Sequence, residues 1–365
     1  MGSKRIRSKR GVRKAGRDPF SLLVIVSMLM YNSDPRRTGR LGTPEPLDRA
    51  RAVARMIEDS TAAGSTMLAV FAEFLGDDDD ELVNQIRAEL TARRPLTPKW
   101  LAQLGQTRIH RGIRVSHVLD PNDVVLLQFR VPTVGEFTCA VDLDLYIADF
   151  IRRVDIFRGS LETVLKTIEV PATDIRCEEV DLTDVRARLT AAIEFEVLTS
   201  PRQASGWPEY GALVEWLIRD LPAGGSALPR PEWSTEDVAA LIARFSASPE
   251  GAPFGRRQAD LLESLVEFGT ESGAGDPLRW HERRAERWLF DHLLSDTDCY
   301  FLDGAEAAPY LLRAFIRFVH HEVGIRSGLT DEVLETTDAW ESKYFNKLLH
   351  KRADDDDADW SGRAV

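Results

Sequence analysis

The sequence predicts an α+β protein with an N-terminal helical segment, a central small antiparallel sheet with packed helices, and a C-terminal all-helical domain. Three observations carry that expectation. Apolar residues recur at helical spacing up to about Thr107, the period falls to two between Val124 and Tyr146, and helical spacing returns beyond a stretch rich in Gly and Pro at 221–233. At 365 residues the chain is longer than one hydrophobic core usually serves. With 43% hydrophobic and 29% charged residues it has a globular composition, which argues against wholesale disorder.

Residues 1–45 read as a basic arm followed by an apolar segment, partly disordered. The first forty residues hold eleven Lys and Arg against Asp18 and Asp34; the chain is −12 overall, so 41–365 carry −21. Residues 20–31 (FSLLVIVSMLMY) follow the arm as the apolar part of a secretory signal would. No small-x-small cleavage site follows, and Arg36, Arg37 and Arg40 come next. Twelve helical residues rise about 18 Å, short of the roughly 30 Å hydrocarbon core of a bilayer. The segment is expected to be a buried helix, or sequence ahead of the native start, with a signal or weak anchor as the alternative.

Helical spacing covers 46–105. Leu47, Ala50, Val53, Ala54 and Ile57 open it, 65–75 forms a second apolar helix ended by Gly76, and Asp77–Asp80 cap a third over 81–91. Those four aspartates lack the alternating ligands and central Gly of a calcium loop. An α+β domain spans 106–221. Residues 124–131 (VVLLQFRV) and 136–146 (EFTCAVDLDLY) pair across a loop at 132–135, a further strand fits 149–157, and helices fit 159–167 and 182–197. Pro208 suits the first turn of another helix.

The linker, 222–233, leads into a helical domain at 234–350. Ser234 and Asp237 form a capping-box start, and helices follow over 257–268, 281–294, 305–323 and 331–349. In the 305–323 helix Leu311, Ala314, Phe315, Phe318 and Val319 make the core-facing stripe, with Gly324 just past the end. Residues 351–365, which hold Asp354–Asp357 and Asp359, read as an acidic disordered tail.

Phosphate-loop, dinucleotide-binding, serine-elbow and zincin motifs are absent from the sequence. Three distant cysteines, Cys139, Cys177 and Cys299, suggest a reducing compartment. The best carboxylate constellation is Asp142 and Asp144, two apart on a strand and so on one face, with Asp155 as a third. Such a set suits a hard cation in a metal-dependent hydrolase, and equally suits cross-strand pairing with Arg130, Arg152 or Arg153. His281, His292, His320 and His321 lack metal spacing and read as structural. Trp280, Trp288, Phe290, Tyr300, Phe301 and Tyr310 read as core. The arm residues Lys4, Arg5, Arg7, Lys9, Arg10, Arg13, Lys14 and Arg17 are candidates for contact with nucleic acid or anionic lipid, though no aromatic residue there would stack a base.

Pro98-Lys-Trp100-Leu-Ala-Gln-Leu, the strands from His117-Val-Leu-Asp to Ala140-Val-Asp-Leu-Asp144, Gly275-Asp-Pro-Leu-Arg279-Trp280 leading to Trp288-Leu-Phe-Asp291, and the helix starting Tyr310-Leu-Leu-Arg resemble an uncharacterised actinobacterial protein family. The resemblance covers about residues 95–350. Where that pattern places His and Asn after Asp144, this chain has Leu145 and Tyr146. The resemblance implies this domain order and a bacterial intracellular setting, and it brings no activity with it. The expectation is therefore a cytoplasmic, non-catalytic interaction or regulatory protein with a protein partner, no transmembrane span and no cofactor or metal. The alternatives are the hydrolase and nucleic-acid association through the arm.

Overall fold

The computed structural model of the protein describes residues 18–38, 44–76, 79–94, 97–119, 122–144, 150–168, 170–199, 204–226, 231–294 and 304–362, except the side chains of 197–199 and 352–362. The chain forms two compact units. The first comprises Met1–Ser116, Asn122–Asp144 and Ala148–Leu228; the second comprises His117–Pro121, Leu145–Ile147 and Pro229–Val365. The fold class is α+β, with a sheet in the middle of the chain and helices at both ends. The basic-arm residues 4–17 lie outside the described residues.

The first unit begins with α1 (Pro19–Asn32), α2 (Arg49–Glu58), α3 (Ala62–Leu75), α4 (Asp80–Arg93) and the short α5 (Lys99–Ala102). The apolar segment is thus a helix, capped by the Asp18 carboxylate accepting from the Ser21 N–H and started by Pro19. It is apolar all round because it is buried: Leu23 and Val26 are fully covered, and its Ser27 hydroxyl accepts from the Leu213 N–H. Among the described residues no helix is long and apolar enough to cross a membrane.

Then come β1 (Arg108–His117), β2 (Asn122–Val131), β3 (Gly135–Asp144), β4 (Phe150–Arg158), α6 (Leu161–Leu165), β5 (Ile175–Glu179), α7 (Leu182–Thr199) and α8 (Trp207–Arg219). The sheet order is β4-β3-β2-β1-β5, and the first four strands pair antiparallel. The expected hairpin is β2–β3, in register from Asn122 opposite Asp144 to Val131 opposite Gly135. The pleat sends Phe137, Cys139, Val141 and Leu143 into one large core with Val125, Leu127 and Phe129. Residues 46–105 and 106–221 share that core, since Phe71, Phe74 and Ile86 belong to it as well. On the opposite sheet face Leu161 and Val164 of α6 cover Ile113, Val115 and Leu126. Arg188 of α7 reaches Asp123 of β2 at 3.0 Å, an ion pair almost entirely removed from solvent.

Strand β5 (IRCEE) was not anticipated, because only Ile175 of its residues is even half-buried. It lies along β1, where Arg111 meets Glu179 at 2.5 Å and Arg114 meets Glu178 at 2.6 Å. At the other edge a single residue covers β4. Ser205 accepts from the Val154 N–H at 2.8 Å and donates its own N–H to the Arg152 carbonyl at 2.9 Å. The next residue, Gly206, has φ +76°, and a Cβ there would stand 2.0 Å from the Val154 carbonyl oxygen.

In the second unit α9 (Thr235–Ala247) carries the predicted capping box: Ser234 Oγ accepts from the Asp237 N–H, and Asp237 accepts from the Ser234 N–H. Helix α10 (Ala259–Glu271) and α11 (Glu282–Arg287) follow. The expected single helix over 281–294 instead passes into a π turn at Trp288–His292, with the Leu293 N–H bonded to the Trp288 carbonyl. Widening the helix there accompanies complete burial of Trp288 and Leu289. Helix α12 (Ala308–Glu322) has Pro309 in its first turn and Gly324, at φ +70°, past its end. Helix α13 (Ser327–Gly362) runs through residues expected to be a disordered tail. No Gly or Pro interrupts it between Leu329 and Ser361. Tyr300 and Phe301 lie outside the described residues; Trp280, Trp288, Phe290 and Phe315 fill the core, as their spacing suggested, together with Phe245 and Tyr344. Tyr310 does not: it is 47% exposed and donates its hydroxyl to Glu341 at 2.8 Å.

Candidate functional site

The carboxylates singled out in the sequence lie on one sheet face, away from the large core. Asp142 stands opposite Arg153, Asp144 opposite Phe150 and Asp155 opposite Ala140. Arginines attend two of them. Asp155 Oδ2 is 2.5 Å from Arg153 Nε, and Asp142 Oδ2 is 3.9 Å from Arg152 Nε. Asp144 is 2% exposed. Among the described residues no group of three or more His, Cys, Asp or Glu is placed to hold a metal ion.

Two histidines of the second unit, His320 and His292, have rings held by hydrogen bonds. His320 accepts from the Trp280 N–H at Nε2 and shares a 3.1 Å bond between Nδ1 and the Thr330 hydroxyl. Burial lowers its pKa to about 4. Burial, then Arg284 and Arg283, lowers that of His281 to about 3. His292 Nε2 lies 3.2 Å from the Ser264 hydroxyl. In the first unit, burial and then Asp155 push the Cys139 thiol up to about 12, which keeps it protonated and unreactive.

A cleft in the first unit brings together residues far apart in sequence. Its walls are the end of α1, the turn after it, the start of α2, the end of α3, and facing stretches of α7 and α8; its volume is about 530 Å³. The turn is built by Asp34, whose carboxylate accepts from the Arg36 N–H at 2.9 Å while Pro35 begins a 3₁₀ turn. Arg37 folds back, donating to the Tyr31 carbonyl at 3.1 Å with its guanidinium 3.9 Å over the Tyr31 ring. Arg36 projects the other way and bridges Asp34 at 2.8 Å to Glu215 of α8 at 2.9 Å. Although burial opposes the charge, these two carboxylates raise the Arg36 pKa further.

Three more arginines line the cleft. Arg219 donates to the Glu73 and Phe74 carbonyls at 3.0 and 3.3 Å, satisfying the C-terminal end of α3. Arg186 donates to the Leu221 carbonyl. Arg49 differs from both, because its buried Nε has no hydrogen-bond partner among the described residues. None of these three has an ion pair with a described carboxylate. Aromatic surface completes the lining: Tyr31, Phe74, Trp207 and Trp216, with the Phe74 and Trp216 rings 5.2 Å apart. Guanidinium groups offer forked donors to a carboxylate or phosphate, and the rings offer a flat apolar surface beside them.

Sequence reasoning missed this site. Arg36 entered it only as an argument against export, and Arg49, Arg186 and Arg219 stand on separate helices with no shared motif. No family model matches the chain, and no curated protein or solved structure matches it either.

Proposed function

We propose that the protein is a non-catalytic regulatory or interaction protein, and that the cleft of its first unit is the effector site, taking a small organic anion with a flat apolar body. The carrying observation is Arg49, a guanidinium lining an aromatic-walled cleft with a buried Nε that no described residue satisfies. A buried donor without a partner is costly, and an anion supplies the missing acceptor. The volume falls within the range of small-molecule sites, and the mixture of apolar walls with a few convergent polar groups is typical of them. Two of the acids in the lining, Asp34 and Glu215, hold Arg36 in place, an arrangement suited to fixing a binding surface rather than to proton transfer. The expected bacterial cytoplasmic setting is part of this proposal.

The test is thermal unfolding and calorimetric titration of the full chain with benzoate, phenyl phosphate and inorganic phosphate. One of the two aromatic anions should raise the unfolding midpoint; at about a hundred times Kd the stabilisation is about 2.7 kcal/mol. Arg49→Ala should weaken binding by at least about tenfold, equivalent to about 1.4 kcal/mol, without unfolding the protein. Silence across the panel, or binding untouched by Arg49→Ala, would remove the proposal.

A further inference from the structure

A second cavity of the first unit, of about 380 Å³, is walled by α3, α4, α5 and the 3₁₀ turn Leu104–Gln106. Its chemistry is the reverse of the arginine cleft: the lining holds no Lys, Arg or His, and its one charged side chain is Glu73. Ser65, Ala69 and Glu73 follow one another at intervals of four on α3, so the carboxylate ends a stripe of small side chains on one helix face. Leu90, Leu101 and Leu104 supply apolar wall. The volume falls within the range of small-molecule sites.

Glu73 is half-buried, and among the described residues its carboxylate has no ion pair; Trp216 Nε1 donates to Oε1 at 3.4 Å. It sits in the last turn of α3, where the helix end is itself negative. Arg219 answers that end through the Glu73 and Phe74 carbonyls and forms no bond to the carboxylate. Arg93 donates to the Ser65 hydroxyl at 3.2 Å, and its charge is met by Glu89 at 2.7 Å. Gly105 leaves the approach open, since a Cβ there would stand 3.4 Å from Glu73 Oε1. The hydroxyls add acceptors: Thr66 and Thr91 donate their protons to the Ala62 and Arg87 carbonyls, both at 2.8 Å, and their oxygens have only lone pairs left to offer. Such a lining suits a ligand that brings N–H donors, one positive charge and an apolar body. A divalent metal ion is held by several charged oxygens and a quaternary ammonium by aromatic faces, whereas this lining has one carboxylate and no ring.

We propose that this cavity binds a primary alkylammonium, with its N–H groups on Glu73 and the threonine hydroxyls and its alkyl chain against the leucines. Calorimetric titration of the full chain with n-butylammonium tests this, with n-butanol and tetramethylammonium as comparisons. Butylammonium should bind with a Kd below about 1 mM, at least about tenfold tighter than butanol, which lacks the charge, or tetramethylammonium, which lacks the N–H groups. Glu73→Gln removes the charge while keeping an oxygen for Trp216, and should weaken butylammonium binding by at least about tenfold. Ala69→Leu fills the space from the same helix and should weaken it too, with Glu73 untouched. Thermal melts report whether each variant is folded, and the comparison among the three probes needs no variant. No binding by the wild type, equal binding of tetramethylammonium or butanol, or binding unchanged in either folded variant would overturn the proposal.

Discussion

His320 shows how one buried side chain ties stability to pH. The imidazole titrates near 6.5 when unfolded and near 4 in the fold, so between these values the unfolded chain binds more protons. Stability is therefore complete above about pH 6.5 and declines as pH falls toward 4. His281, displaced in the same direction, adds to the decline. Each pKa unit corresponds to about 1.4 kcal/mol, so the full displacement of His320 corresponds to a loss on the order of 3 kcal/mol. Thermal melts between pH 7 and pH 4.5 should show a steep fall for the wild type and a shallower one for His320→Gln; equal slopes would mean that His320 is not responsible. This histidine was legible in the sequence as structural, because nothing at metal spacing accompanied it. The arginines of the cleft were not legible. Charge on a helix reads as a solvated face, and only tertiary packing shows that Arg36, Arg49, Arg186 and Arg219 surround a common space.

Elements whose signals are local were readable from sequence. The capping box of α9 needs only Ser234 and Asp237, and Ser234→Ala should cost about 1 kcal/mol, seen as faster amide exchange in the first turns of α9 with the other helices little changed. Uniform acceleration across the second unit would point instead to a global effect. The β2–β3 hairpin was equally clear, since two runs rich in β-branched and aromatic residues flank a short loop. Where the determining partner is distant, reading failed. Strand β5 is set by Arg111 and Arg114 on β1, more than sixty residues earlier, and exposed charges carry no strand signal of their own. The π turn that follows α11 falls where Trp288 and Leu289 are fully buried, and periodicity does not encode such packing. Helix α13 outran its expected end because a run of aspartates was read as disorder, while the chain lacked the residues that break a helix.

For the whole molecule, the net charge of −12 disfavours association through mutual repulsion. Repulsion of that kind is general, and it weakens as salt rises. A sheet edge needs a local safeguard as well, and on β4 that safeguard is Ser205, in a position that only the backbone of Gly206 permits. Gly206→Ala forces a clash with the Val154 carbonyl and should lift the covering residue away. The expected outcome is light scattering and thioflavin binding that grow with time and salt at temperatures below unfolding, while the wild type stays clear. Unchanged scattering would show that the edge is guarded by something else. One residue without a side chain thus decides whether the amide groups of β4 close within a single molecule or are left to template the stacking of many.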